Sequence, residues 1–364
     1  LKKVVILSVI IGCCLLAIEV AAQAWEYNLA QSSAGWELVA TRRLRFDYSS
    51  DGKLTLMTPD QNYFWEGVNI HINSQNLRHD SEYSFEKGPD SYRILILGDS
   101  VTFGWELPLK DTFPELLEKA LNEQDSSFEY EVINASTPGW DTARQLVYLE
   151  RYGLQYHPDL IILEFTVLND VEDCFESSAP ISALTPSVGQ WLRDNTATWG
   201  FVSNLAGSLK QHPIPTENQT STLPGYPFPT SEDDPVWNEC IANSLLALAK
   251  LSEQNNAHFV ILVFPSDLQV RYSDYPTTPQ TVLRRIGAES NIPMLDLLTP
   301  YREQYNRDPG KVEEDSDNPL FADFYSHPSL LGNRIAVQTV VQSLEEIGFI
   351  SGFSSEPNLL TNQS

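Results

Sequence analysis

Basic residues are scarce in this sequence. Against 49 Asp and Glu there are only 23 Lys and Arg, a formal net charge of -26 over 364 residues. Like charges repel at the range where steering acts, so this balance argues against nucleic acid or an anionic bilayer surface as a partner. Hydrophobic residues at 42% with 11% aromatics are ordinary globular values, so the acidity is a solvated exterior and not a mark of disorder. Cysteine is thin as well: four in all, two of them adjacent at Cys13 and Cys14 in an apolar leader, which is no disulfide framework. Only Cys174 and Cys240 remain to pair in the body of the chain, and only in an oxidising compartment. Metal-ligand spacing is missing, with no paired His at helical spacing and no close Cys pair outside the leader, so no metal site is expected. A Gly-rich phosphate loop followed by a Walker-type lysine is missing too, which argues against nucleotide binding.

What is present begins with an export-like leader. Lys2-Lys3 precede an uncharged run, Val4 to Ile18, followed by Glu19 and the small residues Ala21-Ala22-Gln23-Ala24. Fifteen residues are short for a spanning helix, which needs ~20, and Ala22-Gln23-Ala24 offers an A-x-A cleavage site. Apolar character resumes after Glu19, so residues 1–24 are read as a signal peptide or an uncleaved membrane anchor. The basic pair keeps the N-terminus cytoplasmic in either case and sends the body outside, to a periplasmic, cell-surface or secreted location.

Residues 25–91 are polar and aromatic, with short alternating runs at Lys53 to Leu56 and Val68 to Ile72 that read as a small β-rich lead-in. From residue 92 the pattern changes. Apolar runs Arg93 to Leu97, Tyr130 to Asn134, Leu160 to Phe165, Phe259 to Phe264 and Ile292 to Leu298 read as buried strands. Amphipathic stretches at Asp111 to Gln124, Thr142 to Tyr156, Val236 to Glu253 and about Pro328 to Ile347 alternate with them. Strand and helix in turn predict an α/β domain over 92–350, a central parallel sheet covered on both faces. A Pro, Ser and Thr-rich stretch at about 171–235 is too long for an ordinary connection and reads as an insertion or lid. The tail is 351–364.

Ser100 in Gly98-Asp99-Ser100-Val101-Thr102-Phe103-Gly104 lies just past the carboxyl end of the first strand, the edge where ligands gather in such sheets. A serine there needs a base within reach and donors aimed at the oxyanion that forms on attack. Gly-Asp-Ser alone is usually a turn, and Asn-Asp after a strand is usually a loop. Four blocks in order carry more. Gly98-Asp99-Ser100 resembles the first block of the SGNH/GDSL hydrolases. Asn134-Ala135-Ser136-Thr137-Pro138-Gly139 resembles the block that contributes a glycine N–H, and Leu168-Asn169-Asp170 the block whose Asn is an oxyanion donor. Asp323-Phe324-Tyr325-Ser326-His327-Pro328 resembles the closing Asp and His block. Upstream, Asn73-Ser74-Gln75-Asn76-Leu77-Arg78 resembles the Asn-Ser-x-Gly-x-Arg lead-in of exported bacterial members, with Asn76 in place of the Gly.

The resemblance spans about Asn73 to Ile347, interrupted by the insertion. It implies a three-layer α/β/α sandwich of flavodoxin-like, SGNH type, with Ser100 as nucleophile and His327 as general base. The implied oxyanion donors are Ser100, Gly139 and Asn169, and no cofactor is needed. The acid departs from the pattern, because the family separates it from the His by two residues and three intervene here, with Phe324 at the usual place. Either Asp323 reaches the ring through a bulged turn or a backbone carbonyl orients it and the pair works as a dyad. Asp99 and Asp170 are read as structural, and His71, His79, His157, His212 and His258 carry no motif.

The expected function is hydrolysis of a small-molecule or glycan ester, including an O-acetyl group, through an acyl-enzyme. Two alternatives stand beside it: an exported polysaccharide O-acyltransferase with the same site, and a non-catalytic binding protein on the same fold. Trp105, Trp140 and Trp191 are candidates for stacking on sugars, although aromatics are more often core.

Overall fold

The computed structural model describes residues 14–24, 46–49, 51–65, 68–124, 128–172, 228–307, 319–323 and 326–350. Four short strands precede the main sheet: β1 (Phe46–Tyr48), β2 (Thr55–Met57), β3 (Gln61–Trp65) and β4 (Val68–Ile72). They pair in sequence as two antiparallel ribbons, β1 with β2 and β3 with β4.

The strands predicted from apolar runs follow as β5 (Ser91–Gly98), β6 (Glu129–Ser136), β7 (Leu160–Thr166), β8 (His258–Phe264) and β9 (Met294–Asp296). They form one parallel sheet in the order β6-β5-β7-β8-β9. This is the 2-1-3-4-5 arrangement of flavodoxin-like folds, whose chain switches sides next to the first strand. Every residue of β7 is buried, as a strand covered on both faces must be.

Helices supply that cover: α2 (Ser100–Phe103), α3 (Phe113–Gln124), α4 (Thr142–Arg151), α5 (Asn169–Glu172), α6 (Ala242–Gln254), α7 (Asp267–Arg271), α8 (Thr278–Ser290), α9 (Leu298–Arg307) and α10 (Leu330–Glu346). In sequence order the first helix, α1, is residues 14–24. A π-helical turn, Val236–Ile241, leads into α6. Helix α3 packs on α10 and α4 on α6, giving the three-layer α/β/α sandwich. Leu117 and Leu121 of α3 and Val340 and Leu344 of α10 join Ile94 and Ile96 of β5 in one buried cluster. Each such side chain removed from water contributes about 1.5–3 kcal/mol.

Of the leader, only 14–24 falls in the described residues, and Cys14 there is exposed and unpaired. No helix among the described residues is long and apolar enough to cross a membrane. Cys240 is disulfide-bonded, and Cys174 lies outside the described residues. So do Trp191 and His212, and most of the stretch read as an insertion.

Candidate active site

Register decides which loops meet. Gly98 at the end of β5 pairs with Ser136 at the end of β6, and Leu97 pairs with Leu163 of β7. The segments that leave these three strands, carrying Ser100, Gly139 and Asn169, therefore emerge side by side at the carboxyl edge.

Ser100 opens the one-turn helix α2, so its N–H has no intrahelical acceptor. Asp99 caps that turn, its Oδ1 accepting from the Val101 N–H at 2.7 Å. The Asp99 carbonyl accepts from the Phe103 N–H at 2.9 Å. A planar trans peptide then turns the Ser100 N–H the opposite way, outward from the helix start.

His327 comes from the loop before α10. Its Nε2 stands 2.8 Å from the Ser100 Oγ and its Nδ1 2.5 Å from Asp323 Oδ2. Asp323 Oδ1 also accepts from the His327 backbone N–H at 3.1 Å. A carboxylate only accepts, so Nδ1 carries the proton and Nε2 faces the serine hydroxyl as an acceptor. His327 is 4% exposed, dry enough to strengthen both contacts.

The extra residue between Asp323 and His327 is absorbed by Ser326, which adopts a left-handed φ of 70°. The loop closes through the Ala322 N–H to the His327 carbonyl at 2.7 Å, and the Ser326 Oγ accepts from the Asp267 N–H at 2.9 Å. Of the two arrangements left open by the sequence, the contacts are those of the bulged turn.

Gly139 sits third in a turn closed by the Trp140 N–H to the Thr137 carbonyl at 3.1 Å, with Pro138 second. Its φ of 78° is what a type II turn requires there and what glycine adopts at least cost. The Thr137 N–H donates to the Gly98 carbonyl at 3.3 Å, tying this turn to the nucleophile strand. Asn169 begins α5, but its side chain lies outside the described residues.

Below the serine lies a group that sequence reasoning missed. Glu164 is fully buried, with Oε2 accepting from the Asp99 N–H (3.3 Å) and the Thr102 hydroxyl (3.2 Å) and Oε1 from the Thr166 hydroxyl (2.7 Å). The available signal was one acid inside the apolar run Leu160 to Phe165. Burial first, then the Asp99 and Asp170 carboxyls, pushes the Glu164 carboxyl well above the usual range. Asp170, also fully buried, is pushed up by burial and then by Asp99. It accepts from the Thr142 hydroxyl and the Thr166 N–H, each at 2.8 Å.

Arg78, from the lead-in motif, is buried beside the far end of α2. Its Nη1 donates to the Phe103 and Gly104 carbonyls and its Nη2 to that of Leu107, at 2.7, 2.6 and 2.5 Å. Asn76, where the family pattern has Gly, takes a left-handed φ of 65°, which Asn tolerates better than most residues. Its side chain donates to the Met57 carbonyl at 2.7 Å. Trp105 and Trp140 are buried at 3% and 1% exposure, as core aromatics are, with Trp140 Nε1 donating to the Thr55 carbonyl. No group of His, Cys, Asp and Glu among the described residues could hold a metal ion.

An arylesterase of Vibrio mimicus is 36% identical over 74 residues, which is 20% of this chain and 36% of that protein's length. The crystal structure of TesA is 16% identical, with 70% of this chain and 99% of that chain covered at a TM-score of 0.41. Axe2, an acetylxylan esterase from Geobacillus stearothermophilus, is 15% identical, with 73% and 99% covered at 0.43. The GDSL-like Lipase/Acylhydrolase family model matches residues 96–335, from β5 into α10 and across more than half of the sequence, and the chain belongs to that family.

Proposed function

We propose that this protein is a serine esterase that hydrolyses a carboxylic ester through an acyl-enzyme on Ser100. One observation carries the reading: the Ser100 hydroxyl stands in line with the imidazole of His327, 227 residues further along the chain, and with the carboxylate of Asp323 from the same late loop, at 2.8 and 2.5 Å. Family membership supports the same class of reaction.

The Ser100 Oγ attacks the ester carbonyl while its proton passes to His327 Nε2, and Asp323 stabilises the imidazolium through Nδ1–H. The carbonyl oxygen becomes an oxyanion, for which the outward Ser100 N–H and the Gly139 N–H are the proposed donors, with the Asn169 side chain as the third. Removing one such donor commonly costs ~10²–10³ in rate. Collapse breaks the bond to the alcohol oxygen, which leaves with the proton from His327. Water then gives a proton to His327 and attacks the acyl-enzyme, and the second collapse returns the proton to Ser100 and frees the acid.

The ester is proposed to be a small-molecule or glycan ester, an O-acetyl group included, met outside the cytoplasm. The Lys2-Lys3 start with its apolar run and the disulfide at Cys240 support an oxidising, extracytoplasmic setting.

The test is fluorophosphonate labelling of wild type, Ser100→Ala and His327→Ala, with p-nitrophenyl acetate and an acetylated glycan as substrates. Expected are labelling and acetate release by wild type only. A folded wild type that is neither labelled nor active would sink the proposal in favour of a binding protein, and acetyl transfer exceeding hydrolysis would make it an acyltransferase.

A further inference from the structure

The serine-esterase reading says which atoms react but not what aims them. Ser100 lies on a turn between a strand end and a four-residue helix, too short to hold its own geometry. The peptide before Asp99 is gripped at both polar atoms, its N–H by Glu164 and its carbonyl, that of Gly98, by the Thr137 N–H. On the other side of Ser100, the Thr102 hydroxyl donates to the same Glu164 oxygen. Glu164 thus bridges the residues that flank Val101 and Ser100, from directly beneath.

We propose that Glu164 is a positioning residue for the nucleophile: its buried carboxyl joins the Asp99 amide to the Thr102 hydroxyl and so sets the turn that points the Ser100 Oγ at His327 and its N–H outward. The inference rests on the serine-esterase reading, since it needs Ser100 to be the attacking group.

Two further features support it. A Cβ at Gly98 would fall 2.4 Å from the Thr102 Oγ1 and 2.8 Å from the Glu164 Oε2, so the bridge occupies the space that any larger residue at 98 would need. Among the described residues, the groups that face Glu164 in its electrostatics and hydrogen bonds supply no positive charge: Asp99 before α2, Thr102 within it, Thr166 on its own strand, Asp170 on α5, and Tyr301 on α9, whose phenol is raised by burial and then by Glu164. Burial and the acids around it favour the neutral form of this carboxyl, which places no net charge under a developing oxyanion.

Neutral glutamine has nearly the same shape as a protonated glutamate, so the variants separate aim from bulk. Labelling rate, kcat, KM and melting temperature are to be measured for wild type, E164Q, E164A and T102V. Expected for E164Q are values within about threefold of wild type. Expected for E164A are labelling and kcat down by about 100-fold with KM little changed, in protein that still melts above the assay temperature, the scale of loss that follows a small misplacement. T102V, which removes one end of the bridge and keeps the volume, is expected to lose about tenfold in both rates.

Folded E164A that labels like wild type overturns the proposal, and so does E164Q falling as far as E164A. If E164A does not fold, T102V labelled at the wild-type rate overturns it. An unlabelled wild type overturns the serine-esterase reading and this role with it.

Discussion

Asp323 is the residue at which pattern and geometry part company. Counting positions from His327 selects Phe324, because the family spacing leaves two residues between acid and base. The polypeptide instead spends one more residue, held in the left-handed region at Ser326, and still brings a carboxylate oxygen to 2.5 Å from Nδ1. Asp323 contacts both the ring and the His327 backbone N–H, so it sets tautomer and orientation together. Asp323→Asn keeps the shape but offers an amide that can donate to Nδ1 and stabilise the wrong tautomer. Its kcat on p-nitrophenyl acetate is expected to fall by ~10³–10⁴ with the fold retained, as Asp→Asn does in Ser-His-Asp sites. A loss under tenfold would mean that the pair works as a dyad. At this scale Ser100 and His327 were legible because each stands at a strand end or helix start with a recognisable neighbour. Glu164 was not, because nothing in a lone acid within a strand says whether it meets solvent or the nucleophile turn.

Among the elements, α2 is the one that cannot stand alone. It is a single turn, and its last carbonyls are satisfied by Arg78, some twenty-five residues upstream. The guanidinium also lies over the Phe103 ring at 5.1 Å, and burial lowers its pKa to about 10, which leaves it charged at neutral pH. A planar fork spans three carbonyls, whereas an ammonium is a point charge on a flexible stem. Arg78→Lys is therefore expected to cost about 2–4 kcal/mol in urea denaturation, the range for losing buried bonds from a charged donor. A change below 0.5 kcal/mol would show that water or Lys takes over the carbonyls. The lead-in motif was visible in the sequence as Asn73 to Arg78, and its purpose was not, since the contact joins segments that only the fold brings together. The strands of the sheet were legible to within two or three residues because burial on both faces demands continuous apolar runs. Helices α8 and α9 escaped notice because their polar content hides a buried stripe.

For the whole molecule, acidity is a matter of what is buried as well as what is exposed. Glu164 and Asp170 are raised by burial and by acidic neighbours, and burial also raises Glu115, Glu118 and Asp296. An acid with a raised pKa keeps its proton in the folded state at a pH where the unfolded chain has released it. Its contribution to stability is thus largest below about pH 4.5 and is lost as pH rises toward the folded pKa. Unfolding free energy is expected to fall as pH rises above about 4.5, by up to ~1.4 kcal/mol per pH unit for each retained proton. The slope for Glu164→Gln should be shallower by one group's share. Urea denaturation across that range checks it, and a stability that rises with pH would contradict the assignment.

The sequence by itself determined the α/β alternation, the strands, the acidic surface and the motif blocks, because these depend on local chemistry: apolar runs, turn residues and charge counts. The order of the strands, the bulged turn that brings Asp323 to His327, and the Glu164 and Arg78 braces around the nucleophile were decided only by tertiary structure. The Arg78 and Glu164 braces join segments 25 and 65 residues apart, and the Asp323–His327 turn matters only because His327 meets Ser100 across 227 residues. Such contacts depend on register and burial, and no single stretch of sequence contains either.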